Sequence, residues 1–117
     1  MDDTALARWE VQLRKGALEL AVLMAMRSRD RYGLEFVEAL RRLAGIDLPE
    51  GTIYPLLIRL IKDGWAQAYW SQPTQTDPPR KFYRVTPAGE AAIAAMLGRW
   101  RRLDAAMETL AGKDPFE

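Results

Sequence analysis

The run Pro49-Glu-Gly-Thr-Ile-Tyr-Pro-Leu-Leu-Ile-Arg-Leu60 constrains this chain more than any other stretch. Ile53, Leu56, Leu57, Leu60 and Ile61 recur at i, i+3, i+4, i+7 and i+8, which predicts a helix with one apolar face. Gly64 closes it. Its leading end, however, holds Pro49, Gly51, Thr52 and Pro55, residues that interrupt regular structure. A proline costs little in a helix only where its missing N–H would go unbonded anyway. The spacing therefore predicts a helix starting near Gly51 or Thr52, or one with an irregular first turn. Local conflicts of this kind concentrate where function competes with stability.

The surroundings give that helix a context. Leu6, Trp9, Leu13, Gly16, Leu20 and Leu23 are spaced by three and four, as along one helix face. From Ala17 to Met26 the chain is apolar almost all round, predicting burial on several sides. Glu19 is the exception, read as half of a structural ion pair, with a catalytic carboxylate as the alternative. Tyr32 to Ala44 predicts a second helix, with Phe36, Val37, Leu40 and Leu43 inward and Gly45 at its end. After Gly64 the periodicity falls to two. Trp65 to Gln72 and Arg80 to Val85 flank the polar segment Pro73 to Pro79, as in a β-hairpin. Thr86 and Pro87 then read as N-cap and first residue of a last helix, with Glu90 in its first turn. The expected fold is mainly α with a small β-hairpin: a winged helix-turn-helix followed by a long C-terminal dimerisation helix. Residues 1–86 form the DNA-binding domain, with its N-terminal helix contributing to the dimer; residues 87–111 form the dimerisation helix and 112–117 a tail.

The last helix carries Ile93, Met96, Trp100, Leu103, Met107 and Leu110 in steps of 3, 4, 3, 4 and 3. Nothing nearby in the sequence offers this stripe a partner, and Trp9 and Leu13 repeat the spacing in the first helix. A homodimer, with each C-terminal helix packed on the terminal helices of its partner, is the economical solution. Folding back onto its own domain is the alternative. Trp100 reads as a large core residue of the seam or, beside its symmetry mate, as the wall of a site for a small aromatic effector.

With 117 residues the chain is one domain. It contains no cysteine and no histidine, and its only serines are Ser28 and Ser71. Disulfides and thiolate metal sites are excluded, and the usual general base is missing. No catalytic residue, metal site or cofactor is expected. The first residues show no basic segment leading into an apolar one, and the longest apolar run, Leu20 to Met26, is too short to span a bilayer. A cytoplasmic protein with no membrane partner is expected. A net charge of +1 means that polyanion binding would require clustered cations.

Such clusters are present. At about 100° per residue, Gly51, Pro55, Ile58, Arg59 and Lys62 look away from the apolar face of the third helix, with Thr52 and Tyr54 on its flanks. The leading end of this helix enters the major groove in helix-turn-helix proteins. There Gly51 permits close backbone approach, Thr52 and Tyr54 offer hydroxyls, Arg59 suits a guanine or phosphate, and Pro55 and Ile58 suit a thymine methyl. The returning strand supplies Arg80, Lys81 and Arg84, and Lys15 precedes the buried helix. The expected partner is double-stranded DNA. A protein-interaction adaptor built on the same fold is the alternative.

The segments KGALELAVL, YGLEFVEAL, PEGTIYPLLIRLIKDGW, PPRKFYRVTPAG and RWRRL, between Lys15 and Leu110, resemble the PadR family of bacterial transcriptional regulators. The resemblance implies a dimeric winged-helix repressor, occasionally an activator, on a palindromic operator, with phenolic acids or planar toxic compounds as inducers. It is to the shorter subfamily, with a single C-terminal helix, where a tryptophan at the position of Trp100 stacks on planar ligands. Ile58 stands where many members carry a polar or basic residue, and Trp65 where an aliphatic one is usual. Residues 1–14 match weakly.

Overall fold

The computed structural model describes residues 3–112 and 116; the expected tail, 112–117, lies mostly outside the described residues, as do residues 1 and 2. The elements run α1 (Asp3–Lys15), α2 (Leu18–Ser28), β1 (Arg31–Tyr32), α3 (Gly33–Ala44), α4 (Glu50–Lys62), β2 (Ala66–Trp70), β3 (Lys81–Val85) and α5 (Pro87–Ala111). Five helices and a three-stranded antiparallel sheet of order β1-β3-β2 make a mainly helical winged-helix fold, as the periodicities indicated.

The first helical stripe is broken in two. Ala17 donates its amide to the Arg14 carbonyl at 2.9 Å, a turn at Gly16 that ends α1 and restarts the chain as α2. Glycine loses more backbone entropy in a helix than any other ordinary residue, so the break falls there. The two halves then differ in burial. Helix α1 has no buried residue, whereas Leu20, Val22, Leu23, Ala25 and Met26 of α2 enter the core.

That core joins α2 to Phe36 and Leu40 of α3, Leu48 of the following loop, and Ile53, Leu56, Leu57 and Leu60 of α4. Ala66 and Tyr83 close it from the sheet, and Ile93 from α5. The expected apolar face of α4 is therefore the buried one, although Ile61 lies at its edge, 36 % exposed. Leu43 is a correction: expected inward, it is 74 % exposed on the last turn of α3, beyond the reach of the core. Gly45, at φ 66°, ends α3 with its amide on the Arg41 carbonyl. Gly64, at φ 79°, ends α4 in a Schellman turn, its amide on the Ile61 carbonyl and that of Trp65 on Leu60.

Strand β1 is a second departure. Tyr32 was expected to open a helix; instead it extends beside β3, pairing with Phe82, and then caps α3. Its amide donates to the Glu35 side chain at 3.2 Å, half of a capping box. At the other end of the sheet the Thr86 hydroxyl accepts from the Gly89 amide at 3.0 Å and donates to the Gly64 carbonyl at 2.6 Å. The N-cap of α5, legible in the sequence, thus also locks that helix to the turn before β2.

Candidate nucleic-acid interface

Helix α4 begins earlier than its prolines suggested. Pro49 is the N-cap, in extended conformation at ψ 139°, and Glu50 is the first helical residue. The first turn is tight: Thr52 donates its amide to the Pro49 carbonyl at 2.9 Å, an i to i−3 bond. Pro55 consequently lies inside the helix and supplies no amide to the carbonyl of Gly51, an exposed residue. Gly51 itself is open: a methyl group added there would meet nothing within 4 Å.

Tyr54, 48 % exposed, leans from α4 onto the start of α3, where its hydroxyl would sit 2.6 Å from a Cβ built on Gly33. Glycine at position 33 is what lets the phenol ring lie against that backbone. One turn further, Ile58 is 65 % exposed. Across from them stands the wing. Ser71 and Arg80 extend the β2–β3 pairing, the Ser71 amide donating to the Arg80 carbonyl at 2.8 Å and the Arg80 amide to the Ser71 hydroxyl at 2.9 Å. Register places Trp70 opposite Lys81 and Ala68 opposite Tyr83, so these four side chains share one face of the sheet. Between α4, the start of α3 and this face lies a cleft of about 590 Å³, lined by Tyr54, Ile58, Leu34, Trp70, Arg80 and Lys81. Among the described residues no acidic side chain lines it.

The structure sorts the expected residues. Gly51, Tyr54, Pro55, Arg80 and Lys81 are exposed, Thr52 is half-buried, and Tyr54, Arg80 and Lys81 converge on the cleft. The Arg80 guanidinium lies 4.5 Å above the Tyr32 ring, which steadies it at the cleft rim. Arg84 is elsewhere. Alternation along β3 turns it to the opposite face from Lys81, where it covers the Tyr69 ring at 4.4 Å and meets Asp30 at 3.5 Å. Tyr69 in turn donates its hydroxyl to Asp30 at 2.6 Å, and this bond raises its pKa above the usual tyrosine value. Arg59 is also engaged: its Nε donates to Glu19 at 3.0 Å, tying α4 to α2. That pair gives Glu19 the structural part expected of it. Lys15 ends α1, exposed and outside the cleft. Asp30, Tyr32, Gly33, Leu34 and Trp70 were missed. Only Trp70 left a signal, as an aromatic residue at the end of a strand.

The other expected surface is built from α1 and α5. Ile93 is a correction here. It is completely buried in the core of its own chain, and Met96 is partly buried against that core, because the first turns of α5 cross α2. The remaining stripe stays open: Trp100, Leu103, Met107 and Leu110 on α5, and Trp9 and Leu13 on α1, are all between 46 % and 76 % exposed. Trp100 walls an apolar pocket of about 330 Å³ with Leu13, Leu20, Met24, Ile46 and Leu97.

The model of the transcriptional regulator PadR-like family matches residues 22–95, from the buried helix through the wing into α5. The chain belongs to this family. Its PadR fold extends beyond the matched segment: a PadR family transcriptional regulator from Eggerthella lenta superposes with a TM-score of 0.86 at 28% identity, covering 96% of each chain. A Streptococcus transcriptional regulator is 34% identical, with a TM-score of 0.75 over 86% of this chain and 98% of its own. A PadR-like regulator from Bacillus cereus is 26% identical, with a TM-score of 0.75 over 88% of this chain and 99% of its own. No curated protein matches the sequence. Membership makes the chain a transcriptional regulator rather than an enzyme. Among the described residues no helix is long and apolar enough to cross a membrane.

Proposed function

We propose that this PadR-family regulator is a cytoplasmic homodimer that binds a palindromic operator in double-stranded DNA and represses by occluding it. The observation that carries the reading is the cleft: Tyr54 and Ile58 of α4 and the cations Arg80 and Lys81 converge on it, and among the described residues no acidic side chain lines it. Gly51, Thr52, Tyr54 and Pro55 enter the major groove, and the wing grips the adjoining backbone. The open backbone at Gly51, where no part of the fold requires a glycine, fits close approach of an external group. Two-fold symmetry sets the half-sites about one helical turn apart.

The measurement is a mobility shift on DNA upstream of the gene. Replacing Thr52 and Tyr54 together by alanine abolishes sequence-specific binding while the protein stays folded. Replacing Arg80 and Lys81 by alanine weakens binding to every sequence and lowers the salt slope by about two, one unit per lost phosphate contact. Unchanged specific binding by the first variant would sink the assignment of the helix. An adaptor of the same fold would show no salt-dependent operator binding.

The pocket beside Trp100 supports a second element, a small aromatic effector bound at the dimer seam. It lies against Ile46, in the turn between α3 and α4. An occupant that fits one dimer geometry better than another shifts operator affinity through that preference.

A further inference from the structure

We propose that the cleft between α4 and the wing reads a thymine by its methyl group, with Ile58 as the residue that takes the methyl. The inference rests on the operator-binding reading and narrows its expectation for Pro55 and Ile58 to one residue in one cleft.

Ile58 and Trp70 are each 65 % exposed and Leu34 is 50 % exposed. They come from α4, β2 and α3, three elements separated in the chain, yet they converge on one cleft. Exposed apolar side chains scattered singly need no explanation, but a contiguous set rimmed by charge marks a binding surface. These residues do not belong to the α1–α5 seam: its apolar pockets and this cleft have no residue in common. Arg80 and Lys81 stand at the rim, and neither takes part in an ion pair among the described residues.

An apolar floor under a cationic rim calls for a partner with anions outside and an apolar group just inside them. A DNA strand has that layout. Its phosphates lie outermost, and the C5-methyl of thymine is an apolar group on the major-groove edge of the bases. With the wing holding the phosphates, the same strand turns its base edges toward Tyr54 and Ile58, one turn apart on the exposed side of α4. Ile58 has no donor or acceptor, so it cannot distinguish bases by hydrogen bonding. It can distinguish thymine from its demethylated counterpart, because only the methyl is removed from water in the cleft. Trp70 forms the opposite wall and excludes solvent from the contact.

The test uses operator duplexes in which each thymine of the footprint is replaced in turn by deoxyuridine, which keeps every hydrogen-bonding group and loses the methyl. With the wild-type protein, one position in each half-site weakens binding about fourfold when substituted, the effect of one methyl group left in water. Ile58→Ala, at an exposed position that leaves folding intact, binds the thymine and uracil duplexes equally. Lys81→Ala binds both more weakly and keeps their ratio. Operator binding with no uracil penalty at any position overturns the inference and leaves the regulator reading standing. A penalty that persists in Ile58→Ala does the same. Absence of sequence-specific binding to any upstream fragment overturns both.

Discussion

At Gly89 a methyl group has nowhere to go. A Cβ there would collide with the Trp65 carbonyl oxygen and lie 2.6 Å from Val85 Cγ2, with α5 already held by the Thr86 cap. Backbone cannot swing aside as a side chain can, so Gly89→Ala destabilises the protein by about 3 kcal/mol in chemical denaturation, at the upper end of overpacking costs. Gly33 gives the opposite result. The atoms in the way of its Cβ are the far end of the Tyr54 ring, on a half-exposed side chain. Gly33→Ala changes stability by less than about 0.5 kcal/mol, because the ring rotates into solvent. Operator affinity falls all the same, since Tyr54 has left its place in the cleft. Both glycines are visible in the sequence, but nothing local distinguishes them. The same holds for Arg59 and Arg84. Their charges were legible; the acids that hold them were not, because Glu19 lies 40 residues away from Arg59 and Asp30 reaches Arg84 through the sheet.

The wing is held to the body as a unit by its outer face, where Phe82 stacks on Tyr69 at 5.8 Å and meets Tyr32 edge-on at 5.6 Å. Asp30 closes this face by accepting from Tyr69 and pairing with Arg84. The bond favours the neutral phenol, so Tyr69 ionises above the usual tyrosine pKa, the Asp30 hydrogen bond being the largest cause and partial burial the next. A folded-state pKa above the unfolded value means that the interaction is intact at neutral pH and lost only as alkali ionises the phenol. Asp30→Asn lowers the Tyr69 pKa, which an ultraviolet titration of the tyrosines detects, and loosens the wing. Amide exchange at Phe82 and Arg84 should then quicken while that of α2 stays unchanged. Sequence periodicity located β2 and β3 but could not find β1. Two residues are too few to display a period of two, and their extension depends on the edge that β3 offers.

The whole molecule is longer than one core can account for. Its radius of gyration is 17.5 Å and its extents are 68 × 34 × 23 Å, against about 13 Å for a compact chain of this length. Helix α1 and the distal half of α5 project from the body with their apolar residues uncovered. Isolated helical segments of this length are marginal in water, so in the proposed homodimer a partner surface would keep them helical. Leu103→Asp combined with Met107→Asp converts the protein to a monomer in sedimentation velocity and lowers its helical circular dichroism, while the core melts as before. A variant that still sediments with the wild type would return the stripe to packing within one chain.

The sequence by itself determined where the helices of the core, the hairpin strands β2 and β3 and the last helix lie, because spacing, caps and glycines act within a few residues of one another. It fixed the cap at Thr86, the stops at Gly45 and Gly64, and the buried face of α4 in this way. Only the tertiary structure decided which cations face the cleft and which are held in pairs. It also placed Ile93 in the core rather than on the seam, and gathered Leu34, Ile58 and Trp70 around one space. Those outcomes depend on how α3, α4 and the wing meet, and contacts between distant segments carry no trace in local periodicity.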